Sequence, residues 1–155
     1  MNKLRFALLS SAVTLAFGLA AFAPAHADIT SELKAPAGSG YYKEFGGKAG
    51  ITALINTFVG NVAADKRINF YFAHANIPAL KASLVAQVCN LEGGPCPFDV
   101  SMKQIHANMG VTQNAFNALA EDMIRAMDTE QIPTAAQNNL LAKLAAMEPE
   151  IVTKA

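Results

Sequence analysis

The sequence has no strong excess of either charge. Its 155 residues carry 12 Lys and Arg against 12 Asp and Glu, and only 15% of them are charged. That balance excludes an acidic or basic disordered tail and leaves no electrostatic footprint for nucleic acid. There is no glycine or proline bias of the collagenous or low-complexity kind. A Ser/His/Asp signature, a P-loop, a dinucleotide-type glycine pattern and a C-x-x-C-H motif are all missing. The acids are scattered. Glu121 and Asp122 are neighbours, so they leave a helix at different azimuths and do not readily share a pocket. No strand-like alternation runs beyond a few residues, and no internal repeat is present.

One long apolar run is present, at the start. Met1 to Arg5 carries Lys3 and Arg5 and no acid. Phe6 to Ala23 is uncharged and mostly apolar, and Pro24, Ala25, His26 and Ala27 follow. A basic start, an apolar middle and an A-x-A ending are the parts of a secretory signal peptide, cut after Ala27. An uncleaved anchor is the alternative, but the run is barely long enough to span a bilayer. Residues 1–27 are therefore expected to leave, taking His26 with them. Loss of Lys3 and Arg5 leaves acids ahead by two. The expected product is exported, to a bacterial periplasm, with no remaining membrane segment.

Residues 28–40, rich in Ala, Pro, Gly and Ser, read as a flexible leader. Residues 41–155 read as one helical domain. Ile51, Leu54, Ile55, Phe58, Val59 and Val62 recur at three- and four-residue steps and form one helical face. Lys66 to Phe72 is dense in aromatics. Asn76 can cap the next helix, with Pro78 in its first turn. Its stripe is Leu80, Leu84, Val88 and Leu91, ended by Gly93, Gly94 and Pro95. A short helix is expected around Met102 to Ala107, ended near Gly110. Thr112 caps a helix with the stripe Phe116, Leu119, Ala120, Met123, Ile124 and Met127. Pro133 opens the last helix, with Leu140, Leu141, Leu144 and Met147 inward, and Pro149 kinks or stops it. The fold class is all-α.

Two histidines survive cleavage, His74 and His106. His106 lies in Ser101 to Gly110, between a Gly/Pro-rich loop and a glycine stop. By periodicity alone a single helical histidine is more often structural than a ligand. Its context is more specific. Tyr41 to Gly47 opens the domain, with Phe58 in mid-helix and Phe72 closing the aromatic segment. Gly93, Gly94 and Pro95 follow, then Met102 to His106, then Gly110, Val111, Thr112 and Phe116. In that order and spacing they resemble a group I truncated haemoglobin, the short two-over-two globin family, from Tyr41 to about Val152.

The resemblance implies a two-over-two helical sandwich around haem b (iron protoporphyrin IX). His106 would be the proximal iron ligand, through a neutral imidazole nitrogen. Phe72 would lie on the haem face. Phe58, Leu80, Leu84, Val88, Met102, Val111, Phe116 and Leu119 would complete the cofactor pocket. The distal side would involve Val59, Leu84 and Gln87. The family often has tyrosine where Val59 stands and glutamine where Leu84 stands, and both normally donate hydrogen bonds to bound oxygen. Such a bond is worth about 1.5–3 kcal/mol, so its loss should speed oxygen release. Gln87 could substitute as donor, or could turn to solvent at the edge of the stripe. His74 reads as a loop residue, a propionate contact or, after rearrangement, a sixth ligand. Asn76, Lys81 and Lys103 read as propionate contacts or as solvated surface.

Function follows in order of preference. Binding, transport or sensing of oxygen, nitric oxide or carbon monoxide at a five-coordinate iron comes first. Nitric oxide dioxygenation or peroxidase-like chemistry comes second and would need an unidentified reductase. A haem-free helical interaction module, with methionines 102, 109, 123, 127 and 147 as core or soft surface, is a third. A monomer is expected. The even cysteine count in an exported protein favours a Cys89–Cys96 disulfide over two reduced thiols. A zinc site using that pair lacks the usual spacing and a fourth ligand.

Overall fold

The computed structural model describes residues 40–154. The expected signal peptide and all of the leader except Gly40 lie outside them. Six α-helices and one 3-10 turn follow in order: α1 Gly47–Ala64, the turn Asn69–Phe72, α2 Ile77–Leu91, α3 Met102–His106, α4 Gln113–Thr129, α5 Thr134–Ala145 and α6 Glu148–Ile151. There is no strand among the described residues, only an isolated bridge between Thr112 and Lys154. No described helix is long and apolar enough to cross a membrane.

α1 is the centre of the molecule, packed on both α2 and α4. All six residues of its apolar stripe are buried. Each large apolar side chain so covered contributes about 1.5–3 kcal/mol. α4 packs on α1, and its buried residues are Ala115, Ala118, Asp122, Met123, Ala126 and Met127. Its buried face is turned by about one residue from the periodicity expected. Three of these six are alanines, whereas Phe116 and Leu119 stay half-buried and Ile124 is exposed.

α2 begins as expected, with Asn76 Oδ1 accepting from the Ala79 amide at 3.1 Å. Its burial is lopsided. Val85, Gln87, Val88 and Cys89 are buried, whereas Leu80 and Leu84 are only half covered and Ile77 is exposed. The first half of this helix is thus less covered than the second, although Leu84 still packs against the core. α2 ends at a reversal where Gly94 has no room for a side chain. A Cβ there would lie 2.5 Å from the Tyr42 ring and 2.6 Å from Cys89 Sγ. Across this reversal Cys89 and Cys96 are joined as a disulfide, with Cα atoms 5.8 Å apart.

Two buried acids were not foreseen. Glu92 is fully covered, and its Oε2 accepts from the Tyr41 amide at 2.9 Å. Its Oε1 meets Lys143 Nζ of α5 at 3.4 Å. Asp122 is also fully covered and is paired with Arg125, but its Oδ2 has no partner. Burial pushes the Asp122 carboxyl above its ordinary range, and Arg125 only partly offsets this. The last helix breaks at Ala146–Met147, and Pro149 sits in the first turn of α6.

Candidate functional site: the cleft beside His106

α3 has only five residues, too few to persist without tertiary support. Ser101 caps it, its Oγ accepting from the Gln104 amide at 3.3 Å. Met102 is its one buried side chain. The chain leaves α3 through Gly110, whose φ of 61° is a left-handed conformation suited to glycine. Thr112 then caps α4 by accepting from the Ala115 amide at 3.1 Å.

His106 ends α3 half-buried, with Nδ1 2.8 Å from the Met102 carbonyl oxygen. A carbonyl only accepts, so Nδ1 carries the ring proton. In the neutral ring the lone pair then belongs to Nε2. The histidine borders a small cavity of about 60 Å³, walled by Ile68, Tyr71, Phe72, Met109, Val111, Ala115, Phe116, Leu119 and Ile151. Apart from the imidazole and the Tyr71 hydroxyl these side chains are apolar. Tyr71 Oη is turned away, donating to the Gly110 carbonyl at 3.1 Å. A larger, open groove of about 860 Å³ shares Tyr71, Met109 and Ala115 with this cavity. Its rim holds Arg67, bonded to Asp65 and Glu121.

Of the expected site residues, the cavity brings together Phe72, His106, Val111, Phe116 and Leu119. Phe58, Val59 and Val88 lie in the core, and Leu84 packs against it. Leu80 is half-buried on α2. Met102 is buried beneath His106 rather than on the cavity wall. Gln87 corrects the choice made from sequence, because it does not turn to solvent. It is 8% exposed, and its Nε2 lies 3.5 Å from Met102 Sδ and 3.6 Å from Met147 Sδ. Asn76 spends its side-chain oxygen on the α2 cap, while Lys103 and His74 are exposed and Lys81 is half-buried. No group of three His, Cys, Asp or Glu side chains is placed to hold a metal ion among the described residues.

Sequence reasoning missed Ile68, Tyr71, Met109, Ala115 and Ile151 as wall residues. Tyr71 and Ala115 each adjoin a residue that was named, which was the available signal. Ile151 had none, because it reaches the cavity only through the break before α6.

Comparison with known proteins places this arrangement. Residues 40–153 match the family model for bacterial-like globins. The chain belongs to that family. Group 1 truncated hemoglobin GlbN of Mycolicibacterium paratuberculosis is 28% identical over 113 residues, covering 72% of this chain and 83% of the relative. Its counterpart in Synechocystis sp. is 25% identical over 111 residues, covering 68% and 86%. The group I truncated globin resemblance drawn from sequence therefore stands. Among solved structures, the 2/2 hemoglobin of Synechococcus sp. PCC 7002 superposes with a TM-score of 0.69 at 21% identity, covering 74% of this chain and 98% of that one. The truncated hemoglobin of Tetrahymena pyriformis gives 0.69 at 20%, covering 73% and 97%. These likenesses establish the two-over-two fold of the globin described here.

Membership implies haem as the group this globin holds, and its residues fit haem in kind. One imidazole, its Nδ1 spent on the Met102 carbonyl, borders a cavity of aromatic and aliphatic walls. The cavity is narrower than a porphyrin, so taking one up requires its walls to stand further apart.

Proposed function

We propose that this globin binds haem b between α2 and α3 and there takes up oxygen, nitric oxide or carbon monoxide. The observation that carries the reading is the 2.8 Å contact of His106 Nδ1 with the Met102 carbonyl. It fixes the imidazole tautomer and aims the basic Nε2 away from α3's own backbone. Haem, when bound, supplies an open iron position for a diatomic ligand. Phe72, Phe116 and Leu119 exclude water from the side where His106 sits. Opposite it, Val59 of α1 and Leu84 of α2 have no hydrogen to donate. The pocket therefore favours ligands that do not depend on a distal hydrogen bond, and quick exchange of oxygen. Binding or sensing fits that pocket better than turnover, which profits from a long-lived oxygen complex. Export after cleavage at Ala27, to a bacterial periplasm, belongs to the same proposal, as does a monomeric state.

Haemin titration of the purified protein tests the reading. A strong Soret band is expected, with a five-coordinate high-spin ferrous spectrum, and the band should be lost or altered in His106→Ala. Absence of the band in the wild type would overturn haem binding. A low-spin six-coordinate ferrous spectrum without added ligand would overturn the open iron position. The amino terminus of the exported protein should be Asp28.

A further inference from the structure

Gln87 is an unexpected side chain for its position. It is nine-tenths buried, on the part of α2 where its neighbours Val85, Val88 and Cys89 are buried and apolar or disulfide-bonded. Its amide Nε2 faces two thioethers, Met102 Sδ at 3.5 Å and Met147 Sδ at 3.6 Å. A thioether sulfur only accepts, so the amide must present its NH₂ end to both. Sulfur is a weak acceptor, and burying an amide for such bonds costs more desolvation than burying a leucine of similar size. Stability alone does not account for a glutamine here.

What the amide holds does account for it. Met102 is the only buried side chain of α3, and its carbonyl oxygen accepts the His106 Nδ1 proton. The residue that anchors α3 is therefore the residue that orients the imidazole. Gln87 reaches that anchor from α2, and Met147 meets the same amide from the junction of α5 and α6. One amide thus ties three parts of the fold at the foot of the histidine.

We infer that Gln87 is a positioning residue for His106: it acts through Met102 on the proximal side, not as a hydrogen-bond donor to the gas ligand. This rests on the haem-binding reading. The stronger the Nδ1–H···O=C bond, the more electron-rich is Nε2, and second-shell partners of this kind change metal affinity by about ten- to a hundredfold.

The test uses the full mature protein loaded with haemin, with Gln87→Leu and Met102→Leu as variants. Met102→Leu keeps the backbone carbonyl and most of the side-chain volume, and it carries the test alone if Gln87→Leu does not fold. The iron–histidine stretch of the ferrous, ligand-free protein is read by resonance Raman. The C–O stretch of its carbon monoxide adduct reports on distal donors. Both variants should lower the iron–histidine frequency and speed haem transfer to an apoglobin acceptor by about tenfold, leaving the C–O stretch in place. An unchanged iron–histidine stretch would overturn the inference, whether haem loss accelerates or not. So would a shifted C–O stretch in Gln87→Leu alone, which would make the amide a distal donor. Failure of the wild type to take up haemin is a separate result that removes the haem reading itself.

Discussion

Tyr71 and Gly110 are joined by a 3.1 Å hydrogen bond from the phenol to the backbone carbonyl. The bond links the 3-10 turn that carries Phe72 to the loop that follows His106. Both sides of the cavity are thereby set relative to each other by one hydroxyl. Tyr71→Phe should keep the fold and cost about 0.5–1.5 kcal/mol, measured by denaturant unfolding. Amide exchange should rise at Met109, Gly110 and Val111. Unchanged exchange there would mean that the bond does not restrain the loop.

The α2 face offers no donor at Leu84. Leu84→Gln in the haem-loaded protein should slow oxygen dissociation by roughly ten- to a hundredfold, the factor that corresponds to a charge-assisted bond of about 1.5–3 kcal/mol. Stopped-flow displacement by carbon monoxide measures it, and carbon monoxide release should change far less.

Asp122 gives stability an uncommon pH dependence. Its folded pKa is raised by burial, so its contribution is fully present below the unfolded value and is lost as pH rises through the folded one. Asp122→Asn removes that charge. The stability of the variant relative to wild type should therefore increase from acid towards neutral pH, in unfolding titrations run at both. A difference that shrinks with rising pH would show that Arg125 more than compensates the buried charge.

The disulfide closes a short loop. Blocking it in Cys96→Ser should lower stability by about 2.5 kcal/mol in the chain-entropy account. Alkylation and mass measurement without reductant should find no free thiol among Cys89 and Cys96.

Gly94→Ala should destabilise by about 1–3 kcal/mol, since the new methyl meets the Tyr42 ring and Cys89 Sγ at less than contact distance. Thermal unfolding checks this, and Gly60→Ala, where nothing lies within 4 Å, is the control.

Local pattern was legible wherever one helix face meets one core. The six-residue stripe of α1, the caps at Asn76 and Thr112, and the short helix bearing His106 were all readable. The family resemblance added the two-over-two fold and the expectation of haem. Features made by residues far apart in sequence were not readable. The buried face of α4 runs through Ala115, Ala118 and Ala126, which a stripe of large residues conceals. Glu92 and Asp122 look like surface acids until their partners are folded against them. Gln87 was recognised as ambiguous, but its partners Met102 and Met147 lie 15 and 60 residues further on, and neither alternative anticipated two sulfurs.

The carboxylate at position 92 has a consequence for how the molecule comes apart. It grips the backbone just before α1 with one oxygen and the side chain of a residue on α5 with the other. Peeling either outer segment away breaks one of these two contacts to a buried side chain, so fraying from the two sides is coupled. The globin should melt as one cooperative unit rather than shed its edges first.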